Sequence, residues 1–382
     1  MKKTLLLGVA ALSLFAAGCG AGSGAGDEDT IQLGAMFEKT GPVSAYGTAE
    51  SNGVKLAIKE INEAGGILDK QIELTEYDTK SDNVEATSIA TRLATEDNVV
   101  AIVGPATSGA VQAATQPITR AEVPLITPSG TADNLTLTES GDVQPFVFRT
   151  SFQDSFQGVA LANFAMDSLG AKKAVIIGDS SSDYAVGLTN AFKDTYEGEI
   201  VAEEYFTQDD TDFSAILTKI QNQDFDFIYL PAYYEQAGLI LKQAREMGLD
   251  QPVLGGDGFS NQALLDLAGT ENVSDVYYSA HFSLENEDEQ VQTFIDNYTA
   301  EYDTAPDAFS ALAYDAVYLV AQAIEDGGEA TPEAITAALE SITDFDGVTG
   351  TFSIDENHNP VKSTLIIELQ DGKETSTQEI QP

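Results

Sequence analysis

The stretch VVAIVGPATSGAVQAATQP, residues 99–117, combines two hydrophobic patterns that meet at a turn. Residues 99–104 form a short apolar run that predicts a buried strand, and a helix is predicted over 109–121. Between them lies a turn, and the helix is expected to begin near Ser108. A strand, a turn and an amphipathic helix in this order are typical of a parallel α/β sheet.

The same unit recurs along the chain. Strands are predicted at 31–37, 71–77, 99–104, 123–127, 173–179, 199–206, 225–231, 252–257 and 275–282, with amphipathic helices between them. Residues 288–342 are helix-rich, and strand-like runs at 349–354 and 361–369 follow. The two series of units are divided near 145–154, which predicts an α/β protein with two similar lobes, each a parallel sheet covered by helices.

The N-terminus has the layout of an export signal. Lys2 and Lys3 precede an apolar run over 4–15, and small residues lead into Cys19, the only cysteine of the chain. We expect residues 1–18 to be a signal peptide, Cys19 to be lipidated, and residues 19–29 to form a membrane anchor and flexible tether. The alternative is an ordinary secretory signal whose cleavage site contains a cysteine.

The charge balance narrows the choice of partners. The chain has 62 acidic and 18 basic residues, a formal net charge of −44, which excludes a nucleic-acid partner because phosphate binding needs a basic face. Self-repulsion of this size is screened in molar salt, so a salty, halophilic or alkaline habitat is one interpretation. An acidic secreted protein without such a habitat is the other.

Polar residues follow several predicted strands, at the edge where open parallel sheets bind ligands. Two donor-rich turns carry Ser108, Ser129 and Thr131 and together suit a carboxylate, although the turn at Ser108 taken alone favours a plain helix cap. Candidates for the opposite charge come from the second half of the chain and suit an ammonium: Asp154, Tyr184, Tyr233 and Asp257. The pattern predicts a small zwitterion held between the lobes.

Catalysis has little support in the sequence. A serine hydrolase using Ser180–Ser182 with His281 is the weaker alternative, because no G-x-S-x-G motif accompanies the serines. His358 is expected in an exposed turn, and motifs such as H-E-x-x-H are absent from the sequence. We expect a non-enzymatic protein without a cofactor or a metal.

The chain resembles the extracytoplasmic solute-binding lipoproteins of branched-chain amino acid ABC importers, which have the type I periplasmic binding fold. The resemblance rests on GAMFEKTGPVSAYGTAESNGVKLAIKEINEAGGI, EYDTKSDNVEA, AIVGPATSGA, PLITPSGT, FRTSFQDSFQG, DFIYLPAYYEQAGLILKQAREMGL and LGGDGFSN, in family order. It implies that hydroxyls of Ser108, Ser129 and Thr131 bind the ligand carboxylate, and that Tyr233 and Asp257 bind the ammonium, with Tyr184 nearby.

The resemblance further implies that Tyr46 forms an aromatic wall against the ligand side chain. Two departures matter: leucine-binding members carry Glu where this chain has Asp257, and some carry Trp where it has Tyr46. With the shorter Asp257, the ammonium is expected to sit nearer or to meet Asp154 as well. The side-chain preference of the site therefore stays open.

The family fold leads us to assign residues 30–152 and 281–352 to an N-terminal lobe, and 153–280 and 353–382 to a C-terminal lobe, joined by hinge strands. The implied partners are an amino acid, a membrane permease and the membrane itself through the lipid anchor, and we expect a monomer outside the cytoplasm. Alternatives on the same fold are a ligand sensor or a binder of an amide, urea or an aromatic acid.

Overall fold

The computed structural model describes residues 30–138 and 140–382. The expected signal peptide, the lipidated Cys19 and the tether lie outside the described residues. Within them, most strands belong to two sheets whose members are mainly parallel. No helix of the described ranges is both long enough and apolar enough to cross a bilayer.

The first sheet has five strands in the order β2-β1-β3-β4-β5, all parallel. Its strands and the helices between them are β1 (Thr30–Phe37), α1 (Ser44–Glu63), β2 (Gln71–Asp78), α2 (Asn83–Thr95), β3 (Ala101–Val103), α3 (Ser108–Ala121), β4 (Leu125–Thr127) and β5 (Val147–Arg149). Strands β3, β4 and β5 are buried over their whole length, as expected for apolar strands covered on both faces.

The second sheet has seven strands in the order β15-β14-β10-β9-β8-β6-β7. Its first elements are α4 (Asp154–Asp167), β6 (Lys173–Asp179), α5 (Asp183–Thr195), β7 (Glu199–Phe206), α6 (Ser214–Ile220), β8 (Phe227–Leu230), α7 (Tyr234–Glu246), β9 (Val253–Gly255), α8 (Gln262–Ala268) and β10 (Val276–Ala280). Strands β6 to β10 are parallel, which is the expected α/β arrangement.

After β10 the chain returns to the first sheet. The elements there are α9 (Glu289–Tyr302), α10 (Ala308–Gly327), α11 (Pro332–Leu339) and a small antiparallel sheet of β11 (Phe345–Gly347), β12 (Gly350–Ile354) and β13 (Pro360–Val361). Helix α10 lies against α1 so closely that a Cβ on Gly53 would come within 2.1 Å of the Ser310 carbonyl oxygen. The glycine is therefore required for this packing.

The two-lobed α/β prediction is confirmed, but the expectation of purely parallel sheets is wrong at one edge. The last two strands, β14 (Thr364–Gln370) and β15 (Lys373–Ile380), join the second sheet in antiparallel orientation. Strand β15 was not predicted, because its sequence KETSTQEI is polar except for its last residue, Ile380, and is mostly exposed. An edge strand that covers no core needs no apolar period.

Three segments run between the second sheet and the elements on the side of the first: residues 150–153, residues 281–288 and residues 355–363, the last of which contains β13 of the small sheet. In these segments His281 stacks on Phe152 with ring centroids 3.6 Å apart. His358 is buried and stacks on Phe148, so the expected exposed turn is wrong; its Nδ1 lies 3.1 Å from the Val147 carbonyl oxygen. The division into lobes at these segments stays our proposal.

Candidate functional site

A hollow lies between the two sheets, at the carboxyl ends of their strands. Both sheets contribute to its walls, and the lining residues are Tyr46, Ala106, Thr107, Ser108, Ser129, Tyr184, Tyr233, Asp257, Gly258 and Phe309. Six of the eight candidate binding residues are thus brought together, while Thr131 and Asp154 are buried outside this wall.

Hydroxyl groups dominate the wall on the first sheet. Ser108 is the first residue of α3, and its Oγ accepts a hydrogen bond from the Ala132 N–H at 3.2 Å, which leaves the Ser108 O–H free to donate elsewhere. Ser129 follows β4, and its Oγ lies 3.0 Å from the Ala106 carbonyl oxygen. Because the positive end of the α3 dipole points the same way, this wall suits an anionic group.

The carboxylate of Asp257 faces these hydroxyls from the second sheet. Asp257 begins a single 3₁₀ turn after β9 and is only 3% exposed. Its Oδ1 accepts hydrogen bonds from Tyr184 Oη at 2.8 Å and Gln157 Nε2 at 3.1 Å, and His281 Nε2 lies 3.3 Å from Oδ2. Tyr184 and Gln157 are neutral donors, and burial lowers the pKa of His281 to about 4. None of these partners therefore brings a positive charge to the Asp257 carboxylate, which leaves it available to a cation.

Asp154 lies behind this carboxylate. It is fully buried and accepts a hydrogen bond from Gln157 Nε2 at 3.0 Å, so Gln157 bridges Asp154 and Asp257. Burial, followed by the charge of Asp257, raises the pKa of Asp154 well above its ordinary value, although the Thr131 hydroxyl acts in the opposite direction. Asp154 therefore lies behind the hollow and supports Gln157, which accounts for its absence from the wall.

Aromatic rings form the rest of the wall. Tyr46 stacks on Phe309 with ring centroids 4.0 Å apart, and it meets Tyr233 edge to face at 5.7 Å. Tyr184 and Tyr233 are stacked in parallel at 5.0 Å. These faces offer an apolar surface between the hydroxyl wall and the carboxylate, where an aliphatic side chain would fit.

Tyr46 also connects the two sheets directly. Its Oη donates a hydrogen bond to the Gly258 carbonyl oxygen at 2.5 Å and accepts one from the Tyr234 N–H at 2.9 Å. Tyr46 belongs to α1, whereas Gly258 and Tyr234 belong to the segment between β8 and α8. These two hydrogen bonds hold the walls of the hollow together.

Replacement of Tyr46 by Phe should weaken ligand binding by about 5- to 150-fold. The ring and its stacking on Phe309 are kept, but two buried backbone groups lose their partner, at a cost of roughly 1–3 kcal/mol. Isothermal titration calorimetry measures the change, with Tyr205→Phe as the control because Tyr205 is exposed and bonds only to Glu203 among the described contacts. A dissociation constant within twofold of the wild-type value would contradict this role.

The groups of the serine hydrolase alternative are engaged elsewhere. His281 faces Asp257 and Phe152, whereas Ser180 donates to the Phe206 carbonyl oxygen and Ser181 to Asp179. Ser182 caps α5 by accepting from the Ala185 N–H. Among the described residues, no cluster of His, Cys, Asp or Glu suits a metal ion.

Several residues around the hollow were not predicted from the sequence: Glu38, Glu50, Gln157, His281 as a partner of Asp257, and Phe309. Helical spacing was the available signal for two of them, since Glu50 lies one turn after Tyr46 and Gln157 one turn after Asp154. Phe309 gave no local signal, because it reaches the site from a helix that begins more than 250 residues after Tyr46.

Comparisons with known proteins agree on one family. A model of the family described as periplasmic binding protein matches residues 30–374. The leucine-, isoleucine-, valine-, threonine- and alanine-binding protein of Pseudomonas aeruginosa is 31% identical over 331 residues, covering 86% of each chain.

Solved structures give the same result. The branched-chain amino acid transporter substrate-binding protein LivJ from Streptococcus pneumoniae, crystallised with isoleucine, is 46% identical with a TM-score of 0.89 and covers 92% of this chain and 100% of its own. The leucine-binding protein LivK from Thermotoga maritima is 31% identical with a TM-score of 0.85, covering 92% and 99%. Each of these relatives carries an amino acid or its transport in its name.

Proposed function

This chain belongs to the periplasmic binding proteins, in their branched-chain amino acid group, and from that premise we propose that it is the solute-binding component of an ABC importer. Its ligand is a branched-chain or other neutral aliphatic L-amino acid, bound between the lobes. The loaded protein delivers this ligand to a membrane permease. The family places the protein outside the cytoplasm.

One observation carries the choice of ligand: hydroxyl donors and a buried carboxylate face each other across the hollow. Ser108 and Ser129 would receive the α-carboxylate, and Asp257 would receive the α-ammonium in a charge-assisted pair. A ligand without a positive group would leave the Asp257 carboxylate buried and unpaired, which is costly. This disfavours urea, amides and aromatic acids as ligands.

Tyr46, Phe309 and Tyr233 would then contact the aliphatic side chain. In this proposal, Asp154 and Thr131 do not touch the ligand. Asp154 positions Gln157, and Thr131 belongs to the segment that positions Ser129. Closure of the two lobes would bury the ligand. The ligand stabilises the closed form only by the additional contacts that it makes across the hollow in that form.

Calorimetry with a panel of amino acids tests the function. Leucine, isoleucine and valine should bind in a 1:1 ratio, and acidic and basic amino acids at least tenfold more weakly, because the aromatic wall offers no partner for a second charge. The deaminated acid of the best ligand is the control. Binding of benzoate or urea in preference to every amino acid would overturn the proposal.

We also propose that Cys19 anchors the monomeric protein to the membrane through alkyl chains, with residues 20–29 as the tether. Stable anchoring takes two such chains, which diacylation at the Cys19 thiol would supply. The net charge of −44 favours function in concentrated salt, where repulsion between surface carboxylates is screened.

A further inference from the structure

Two buried glutamates lie beneath the hydroxyl wall, and their surroundings differ. Glu38 is fully buried and is bonded as an anion: its carboxylate accepts from the Ala106 N–H and the Thr107 N–H at 3.0 Å each, and from the Thr107 hydroxyl at 2.7 Å. Burial raises the pKa of Glu38, but these three donors, two of them backbone amides, act in the opposite direction and stabilise its ionised form.

Glu50 is equally buried but has no comparable set of donors. It lies on α1, one turn after Tyr46, and its Oε1 is in short contact with Ser129 Oγ. Its Oε2 is buried, and no hydrogen-bond partner reaches it among the described residues. An ionised carboxylate in this position would have one hydrogen bond in place of its hydration shell.

The charges that face Glu50 are negative. They come from Glu38, after β1, and from Asp307, which caps α10. Burial first, and then these two charges, raise the pKa of Glu50 well above its ordinary value, against the effect of the Ser129 hydroxyl. A ligand carboxylate on the same wall would be a further anion close to this group.

We propose that Glu50 is a neutral carboxylic acid that positions Ser129 for the ligand. Its proton lies on Oε1 and is donated to Ser129 Oγ, so that the single Ser129 hydrogen is free to turn from the Ala106 carbonyl oxygen to the ligand carboxylate. An ionised Glu50 would instead take the Ser129 hydrogen for itself and would repel the ligand carboxylate. The inference rests on the proposed function, because it assigns the carboxylate to this wall.

Difference infrared spectroscopy of the purified full chain decides the protonation state. Glu50→Gln should remove the C=O stretch of one protonated carboxyl group at pH 7, because the amide replaces an acid. If the substitution removes carboxylate stretches instead, Glu50 is ionised and the proposal is wrong. Glu63→Gln is the matched control on the same helix, since Glu63 is exposed and should lose carboxylate intensity.

Calorimetry over pH 6–9 then tests the connection with the ligand. In the pH range where the C=O stretch of Glu50 disappears, the affinity of the wild type for the amino acid should fall relative to that of Glu50→Gln. The reason is that deprotonated Glu50 accepts the Ser129 hydrogen, which is then no longer available to the ligand carboxylate. Titration of the ligand amine is common to both proteins and to Glu63→Gln, so the difference reports Glu50 alone.

Each result decides the proposal. If the C=O stretch of Glu50 persists to pH 9, the affinities of the wild type and of Glu50→Gln must change with pH in parallel, and a divergence between them would contradict the positioning role. If the stretch disappears below pH 9 and the wild-type affinity does not fall, the positioning role is also contradicted. A wild type that binds no amino acid at pH 6 would instead refute the proposed function, even where the infrared result holds.

Discussion

Replacement of Asp257 by Asn is expected to weaken amino acid binding by roughly 30- to 5,000-fold. The carboxylate is buried, and the proposed ligand ammonium would lose its only charged partner among the residues that line the hollow. Removing one member of a buried, hydrogen-bonded charge pair typically costs about 2–5 kcal/mol, which corresponds to this range. Asn keeps the shape of the side chain, so Tyr184 retains an oxygen acceptor.

Isothermal titration calorimetry measures this loss, and the ligand itself supplies a second comparison. The wild type should bind the amino acid far more tightly than the corresponding acid without the amine, whereas Asp257→Asn should reduce this preference. Asp266→Asn, an exposed change in α8, should leave both affinities unaltered. Equal affinity of the wild type for the two ligands would show that Asp257 does not bind an ammonium.

A change in a buried polar cluster outside the wall of the hollow should mainly affect stability: Asp315→Ala is expected to lower the free energy of unfolding by about 3–5 kcal/mol. Asp315 is buried on α10 and accepts from the Val348 N–H at 2.8 Å, the Thr349 N–H at 2.9 Å and the Thr349 hydroxyl at 2.5 Å. Thr349 Oγ1 in turn accepts from the buried Lys362 Nζ at 2.6 Å.

Alanine at position 315 would leave two amides without an acceptor and Lys362 without a nearby negative charge. Burial lowers the pKa of Lys362 to about 8, against the effect of Asp315. The charged lysine therefore destabilises the folded state below that pH, and this cost disappears as the pH rises from about 8 towards the value of an unfolded lysine. The loss caused by Asp315→Ala should accordingly shrink above pH 8.

Denaturant unfolding at pH 7 and pH 9.5 checks both statements, with Asp326→Ala as the control because Asp326 is exposed on the same helix. A loss below 1 kcal/mol at pH 7 would mean that water or neighbouring groups replace the Asp315 carboxylate. An equal loss at the two pH values would show that the charge of Lys362 is not responsible.

The sequence predicted the strands and helices in which apolar residues recur at regular spacing. Alternation of apolar strands and amphipathic helices was sufficient for the two-lobed fold, and residues just after strands proved to include Ser108, Ser129 and Asp257 at the hollow. Strand β15 was missed because an exposed edge strand shows no alternation of apolar and polar residues. The antiparallel edge depends on the path of the last connection, which no pattern in residues 355–382 records.

Whether a side chain reaches the hollow or stays buried behind it was harder to predict than its position after a strand. Asp154 and Asp257 both follow strands, yet Gln157 stands between them, and only packing decides which carboxylate reaches the hollow. Likewise, Phe309 and His281 become neighbours of Tyr46 and Asp257 through contacts between distant parts of the chain. A period of 3.6 or 2 residues carries no information about such contacts.

The dipeptide Asp257-Gly258 unites two tasks. The Asp257 carboxylate accepts a hydrogen bond from the Tyr184 hydroxyl, which itself accepts one from the Gly258 N–H. The Gly258 carbonyl oxygen accepts a hydrogen bond from Tyr46 on the other wall. A Cβ on Gly258 would lie 3.0–3.2 Å from the Ala232 carbonyl oxygen and both tyrosine hydroxyls. Under the proposed closure of the lobes, mutations here that change ligand preference should also shift the equilibrium between the open and closed forms, so uptake rate and ligand range should change together.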